Sequence, residues 1–258
     1  MTKNSFPSSR TAVVTGAGAP RGIGRHVARR LAADGWDIAA LDIDEAAVAG
    51  FATELSAETG RTVVGIGVDI ADKESVDAAF SRIDEELPPV LAEVNLAGVA
   101  SPHSFFEITD EIFTRVVDVN AKGTLFMMQA AAERMIEGGF GGRIVNTSSV
   151  TAYDGGGTFS KTGYAAAKAA VLGLTRGGAR ELGKHGITCN SIVPGPIDTD
   201  IMGGKLTDDR KAGMSSDIPL ERVGQPDEVA GLIGFLVSED SSFVNGDSVF
   251  VDGGKHMV

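Results

Sequence analysis

A tyrosine and a lysine four residues apart, Tyr164 and Lys168, stand in the alanine-rich run TGYAAAK of a 258-residue chain. Alanine favours helix, and positions i and i+4 share one helical face. The phenol and the ammonium can therefore point into the same space. A phenol titrates near ~10 in water. A cation about 4 Å away, at an effective dielectric of about 20, favours the phenolate by about 4 kcal/mol, roughly three decades of proton affinity at most. The expectation is a tyrosine that exchanges protons near neutral pH, lowered there by its lysine. Ser148 and Ser149 follow a strand-like run, RIVNT, and offer a hydroxyl to the same place. Tyr-x-x-x-Lys alone also fits an ordinary surface helix, so the elements around it decide its meaning.

Those elements alternate. Apolar runs that read as strands lie at 11–15, 36–42, 62–69, 90–98 (with its turn), 143–149, 187–193 and 247–254. Helical stretches separate them at about 22–33, 45–58, 73–86, 110–136, 162–183 and 226–237; within 73–86, Val76, Phe80 and Ile83 keep helical spacing. Strand–helix alternation implies an α/β fold with a parallel sheet and helices on both faces. Right-handed crossovers make it doubly wound. No repeat, linker or low-complexity block divides the chain, so a single domain over 11–258 is expected, with 1–10 as a flexible lead-in. The irregular stretch 195–225 is expected to be a loop or lid over the substrate.

The first strand runs into a glycine-rich turn, Thr15-Gly16-Ala-Gly18-Ala-Pro-Arg21-Gly22-Ile23-Gly24. Glycines let backbone approach a ligand, and the amides that open the next helix can hold a pyrophosphate. Asp42 ends the second strand 18 residues after Gly24. That is near the spacing for a carboxylate on the adenosine ribose, and it repels the additional phosphate of NADP, which carries roughly −1.5 to −2 charges. NAD is therefore expected over NADP, with Arg21 and Arg25 close enough to weaken the preference. Asp69 and Ile70 end the third strand where an adenine would lie. Asn95, Ala97 and Gly98 end the fourth, with small residues where backbone must approach a ribose.

Taken together and in order, these pieces resemble the classical short-chain dehydrogenase/reductase family over about residues 10–254. They are the TG…GIG turn, NLAG at 95–98, Asn120 in DVNAKG, Ser149 in NTSSV, Tyr164-x-x-x-Lys168, and PGPIDT at 194–199. The resemblance implies a Rossmann-like sheet and hydride exchange between nicotinamide and a secondary alcohol or ketone. It implies Tyr164 as general acid/base, with Lys168 lowering its proton affinity and bonding the nicotinamide ribose. Ser149 would hold the substrate oxygen. Asn120 would open its helix and bind a water that links Lys168 to solvent. Pro194, Ile197 and Thr199 would meet the nicotinamide carboxamide. Three departures stand out. Gly16 and Gly22 are separated by five residues where the family has three, and Gly18 restores the shorter gap. NLAG replaces NNAG, so Leu96 stands for an asparagine. Ser149 precedes Tyr164 by 15 residues and Thr151 by the family's 13, so Ser148 and Thr151 remain alternates.

The substrate pocket is expected from 99–104, 151–159 and the 195–225 loop. Thr151, Tyr153, Asp154 and Ser160 supply a polar and aromatic lining, and Met202 and Met214 adaptable apolar contact. A polyol, a hydroxyacyl compound or a steroid-like ring of modest size would suit it. The family's habit of pairing its two long helices and its C-terminal strand region implies a homotetramer, or a homodimer.

Composition bounds the rest. A net charge of −12 leaves no basic face for nucleic acid. The lone Cys189 permits no internal disulfide, which suits a reducing cytoplasm. No window is apolar enough for a membrane span. The four histidines, His26, His103, His185 and His256, show no metal-ligand spacing. Two rivals use similar turns. A nucleotide-binding regulatory protein on this fold would have no need of the Ser, Tyr and Lys, and a methyltransferase none of the Tyr-Lys pair.

Overall fold

A computed structural model of the chain describes residues 6–157, 160–200 and 207–257. Seven strands form one sheet: β1 Thr11–Thr15, β2 Asp37–Asp42, β3 Val63–Gly67, β4 Val90–Asn95, β5 Gly142–Thr147, β6 Ile187–Pro194 and β7 Ser248–Val251. Their order is β3-β2-β1-β4-β5-β6-β7, and every pair is parallel. The chain winds outward in both directions from the β1/β4 junction. That junction is the switch point beside which open α/β sheets hold ligands.

The helices are α1 Ile23–Ala33, α2 Glu45–Thr59, α3 Lys73–Glu86, α4 Asp110–Val117, α5 Gly123–Gly138, α6 Thr151–Asp154, α7 Thr162–Leu182, α8 Asp208–Ser215 and α9 Pro226–Val237. They cover both faces because neighbouring strand residues alternate sides. Ala12 and Val14 join one core with Val27, Phe51 and Ile233 from α1, α2 and α9. Val13 joins the other, with Phe80, Met127 and Ala179 from α3, α5 and α7.

Local signals set most helix starts. Asp44, Asp72 and Thr109 accept backbone N–H bonds at the beginnings of α2, α3 and α4. Pro226 opens α9 with a Gln225–Glu228 capping box. At α1 the N-cap is Gly22, with no side-chain cap and no acidic residue in the first turn.

Three expectations change. The helix expected over 110–136 is broken by a π-helical turn, Asp118–Lys122. There the Asn120 Nδ2 donates to Val116 O and Val99 O, both at 2.9 Å, and competes with the regular backbone ladder. The lead-in is not wholly free. Phe6 is buried edge-on against Trp36, with ring centroids 5.9 Å apart, and the Arg10 guanidinium lies 4.4 Å over the Trp36 ring. Finally, the 195–225 stretch contains α8, capped by Thr207, and an Ile197–Gly224 bridge ties its two ends together.

Candidate active site

A cleft of about 1560 Å³ runs along the carboxyl edge of the sheet. It is well above the ~300–1,000 Å³ of most small-ligand pockets and suits a long ligand with a second molecule beside it. Its floor is made by strand ends: Thr15 and Gly16 after β1, Asp42 after β2, Leu96 to Gly98 after β4, Thr147 to Ser149 after β5, and Pro194 to Ile197 after β6.

The glycine turn and the start of α1 form one wall, through Gly16, Ala19, Gly22, Ile23 and Gly24. The first amides of a helix lack intrahelical acceptors. At α1 no side chain takes them, so they and the helix dipole are left to an anion in the cleft. Gly18 does not line the cleft. Its N–H donates to Asp42 Oδ2 at 2.8 Å, and a Cβ there would stand 2.6 Å from the Asp42 Cγ. Gly18 therefore braces Asp42, which faces the cleft.

Asp69 and Ile70 line the end of the cleft beside β2 and β3, joined by Leu41, Ile43 and Val68. Ile43 is 75% exposed. An apolar residue left open beside a strand end was the available signal for it. Arg21 and Arg25 do not face this end. Arg21 pairs with Asp198 at 2.9 Å and Asp200 at 3.1 Å. Arg25 donates to Ala17 O and Gly18 O and lies over the Phe51 ring. Arg21 is thus a strut between the β1 and β6 loops and not part of the cleft lining.

At the other end, Ser149, Tyr164 and Lys168 converge. Ser148 is buried, and its hydroxyl donates to Lys168 O at 2.9 Å, which occupies it inside the fold. Thr151 also lines the cleft, and its N–H donates to Ser149 Oγ at 3.2 Å. Lys168 Nζ donates to Thr147 O at 2.9 Å and lies 5.5 Å from the Tyr164 ring centroid. The ammonium therefore sits against the ring. This corrects the expected electrostatics: burial pushes Tyr164 up to about 12, opposed by a hydrogen bond with Ser149, and burial pushes Lys168 down to about 8. Tyr164 keeps one side open to the cleft.

Two expected ligands lie beneath the floor. Asn95 is buried and donates to Asn146 Oδ1 at 2.9 Å. Asn120 is wholly buried and its Oδ1 has no hydrogen-bond partner; a Cβ built on Gly98 would stand 2.6 Å from that Oδ1 and 3.5 Å from Lys168 Nζ. Thr15 was missed. Its Oγ1 accepts from Leu96 N at 2.9 Å and Ala97 N at 3.0 Å, and so shapes the NLAG turn without the second asparagine.

Pro194, Ile197 and Thr199 line the cleft, as do Asp154, Gly156, Ser160 and Met214. Tyr153 does not. It packs against Phe250 and His256, with centroids 5.0 and 5.1 Å away. Met202 and Phe159 lie outside the described residues. Among the described residues, no histidine, cysteine, aspartate or glutamate cluster could hold a metal ion. Likewise, no helix is long and apolar enough to cross a membrane.

A family described as enoyl-(acyl carrier protein) reductase matches residues 16–256. The chain belongs to the short-chain dehydrogenase/reductase family. Within it, the chain is 39% identical over 250 residues to an L-rhamnose 1-dehydrogenase (NAD(P)(+)) of Azotobacter vinelandii, covering 95% of this chain and 96% of that one. It is 39% identical over 263 residues to a (3R)-3-hydroxyacyl-CoA dehydrogenase of Mus musculus, covering 96% and 97%. A blue fluorescent protein from a metagenomic library, solved in complex with NADPH, superposes with a TM-score of 0.87 at 37% identity, covering 96% and 98%. This short-chain dehydrogenase/reductase is an oxidoreductase, and the cleft fits a nicotinamide dinucleotide. The uncapped start of α1 and the cleft-facing Asp42 carboxylate are the features of this chain that suit it.

Proposed function

We propose that the chain is an NAD-preferring alcohol dehydrogenase/ketone reductase in which Tyr164 moves a proton at the substrate oxygen. The convergence of Ser149, Tyr164 and Lys168 at one end of a dinucleotide-sized cleft carries this reading. When bound, the nicotinamide supplies or accepts the hydride.

With burial pushing Tyr164 up to about 12, its resting form at neutral pH is the protonated phenol. That form donates to a ketone oxygen as negative charge develops there. Ser149, held by Thr151 N–H, offers the same oxygen a second hydrogen bond, which accelerates the step to the extent that it strengthens in the transition state. In oxidation Tyr164 must give up its proton, and Lys168, mostly charged at pH 7 with an affinity of about 8, opposes the cost. A water between the unpartnered Asn120 Oδ1 and Lys168 Nζ completes a proton route out of the site. Lys168 would also hold the nicotinamide ribose, Pro194, Ile197 and Thr199 the carboxamide, and Asp69 and Ile70 the adenine.

The NAD preference rests on Asp42, which faces the cleft while Arg21 and Arg25 are engaged elsewhere. A second phosphate there meets a carboxylate and no available guanidinium. The substrate is a secondary alcohol or ketone of modest size, with Thr151, Asp154, Ser160 and Met214 lining its pocket. The relatives direct attention to sugar-like polyols and 3-hydroxyacyl compounds. The test is a screen of sugars, polyols, hydroxy acids, sterols and hydroxyacyl thioesters with NAD and NADP, followed at the reduced-nicotinamide absorbance. Turnover of one class, faster with NAD, is expected. Cofactor binding without turnover of any class, or a preference for NADP, would overturn the reading.

A further inference from the structure

Glu93 lies in the middle of β4, between Val13 of β1 and Ile144 of β5. It is 0% exposed, and neither carboxyl oxygen has a hydrogen-bond partner. A buried carboxylate with neither a cation nor a donor is among the least favourable groups a fold can hold, and such a group neutralises instead. Burial pushes Glu93 up to about 8, outweighing the neighbouring Asn95 side chain, which acts to lower it. Asn95 stands two residues along the strand, on the same face.

Asn95 begins a directed chain. Its Nδ2 donates to Asn146 Oδ1 at 2.9 Å, Asn146 Nδ2 donates to Thr175 Oγ1 at 3.0 Å, and the Thr175 hydroxyl donates to Val171 O at 2.8 Å. Every link points the same way, from β4 through β5 into α7. The chain ends three residues beyond Lys168. At its head, Asn95 Oδ1 is buried and has no donor. Two neighbouring acceptors with no donor between them are both satisfied by one proton.

We propose that Glu93 is a neutral carboxylic acid that donates to the Asn95 side chain and so heads a one-way hydrogen-bond chain fixing α7 on the sheet. Glu93 is then a positioning residue for Tyr164 and Lys168, a role that rests on the function proposed above; its protonation does not. The surroundings suit a neutral group. α5 packs on β4 with Thr124, Met127, Met128 and Met135 buried, and α3 buries Val76 and Phe80 in the same core; none of these is ionisable. β6 contributes the Cys189 thiol, itself pushed up to about 12, chiefly by burial. Of the charged groups on α7, Lys168 is engaged with Thr147 O, and Arg176, Arg180 and Glu181 are exposed.

Infrared spectra of the whole protein and of E93Q test this. The wild type is expected to show a protonated-carboxyl stretch at pH 7 that E93Q lacks and that gives way as pH rises through about 8. Because the folded affinity exceeds the ordinary 4.5, the folded protein keeps a proton that the unfolded chain releases between those values. The melting temperature of E93Q should therefore gain on the wild type from about pH 5 to about pH 8 and stop gaining above it. E93Q, which can still donate, should keep kcat within about threefold; E93M, which cannot, should lose about tenfold or more in kcat with little change in cofactor KM. Absence of the band, its persistence in E93Q, or parallel melting curves would overturn the proposal, whether or not E93M folds. A wild type that shows the band but turns over no substrate would instead count against the proposed function.

Discussion

Tyr164 holds its proton at neutral pH because burial destabilises its anion, and Lys168 is pulled toward neutrality by the same loss of solvent. The pH dependence follows from Lys168. Its folded affinity, about 8, lies below the ordinary 10.5, so the folded protein binds fewer protons than the unfolded chain between those values. This group therefore costs stability at neutral pH, and stability rises with pH across that window. Activity runs the other way. We expect ketone reduction to lose rate above about pH 8 as the ammonium is lost, and K168M to be slow with no such limb; a wild-type profile flat to pH 10, measured as log kcat/KM, contradicts this. For Asp42→Ala, the NAD over NADP ratio of kcat/KM should fall about tenfold or more, since one charge facing a phosphate in a cleft is worth over a kcal/mol. An unchanged ratio would mean that Asp42 only braces Gly18. Tyr164, Lys168, Ser149 and Asp42 were legible in the sequence because their chemistry belongs to residue type and spacing. The partners of Arg21 were not, because Asp198 and Asp200 are set beside it by the fold, 177 positions or more along the chain.

The elements explain a second group of outcomes. The strand–helix alternation was readable because period-two and period-3.6 patterns are written locally. The break in the 110–136 stretch was not written in that pattern and was implied only by the family resemblance, because Asn120 opens that helix through Val99, a residue of another segment. The side on which α6 places Tyr153 likewise depends on Phe250 and His256 at the far end of the chain. Gly98 passes over the opened turn. Gly98→Ala would set a methyl 2.6 Å from Asn120 Oδ1, displacing Asn120 or the NLAG backbone. We expect the variant to lose about tenfold or more in kcat and to melt lower by about 1–3 kcal/mol of stability. Wild-type kcat and melting in this variant would show that the Asn120 pocket is unimportant.

For the whole molecule, cofactor binding and assembly are the accessible tests. Saturation at about 100 times Kd stabilises a folded protein by about 2.7 kcal/mol, which for a chain of this size is a rise of roughly 5–10 °C in Tm. NAD should produce that rise at lower concentration than NADP in a thermal-shift titration; the reverse order would reassign the cofactor. Phe113 on α4, Phe235 on α9 and Phe243 remain exposed, by 42%, 45% and 102%. Phe113 stands in one of the long helices the family resemblance assigns to subunit contacts, so sedimentation is expected to give a tetramer, and a monomer at micromolar concentration would contradict that assignment. The most direct test of the central claim is single-turnover ketone reduction by wild type and Tyr164→Phe, with equal occupancy by reduced cofactor. The account predicts a loss of about 10²–10⁴-fold in the transfer step with cofactor affinity preserved; a variant within about threefold of wild type would show that the proton comes from another group.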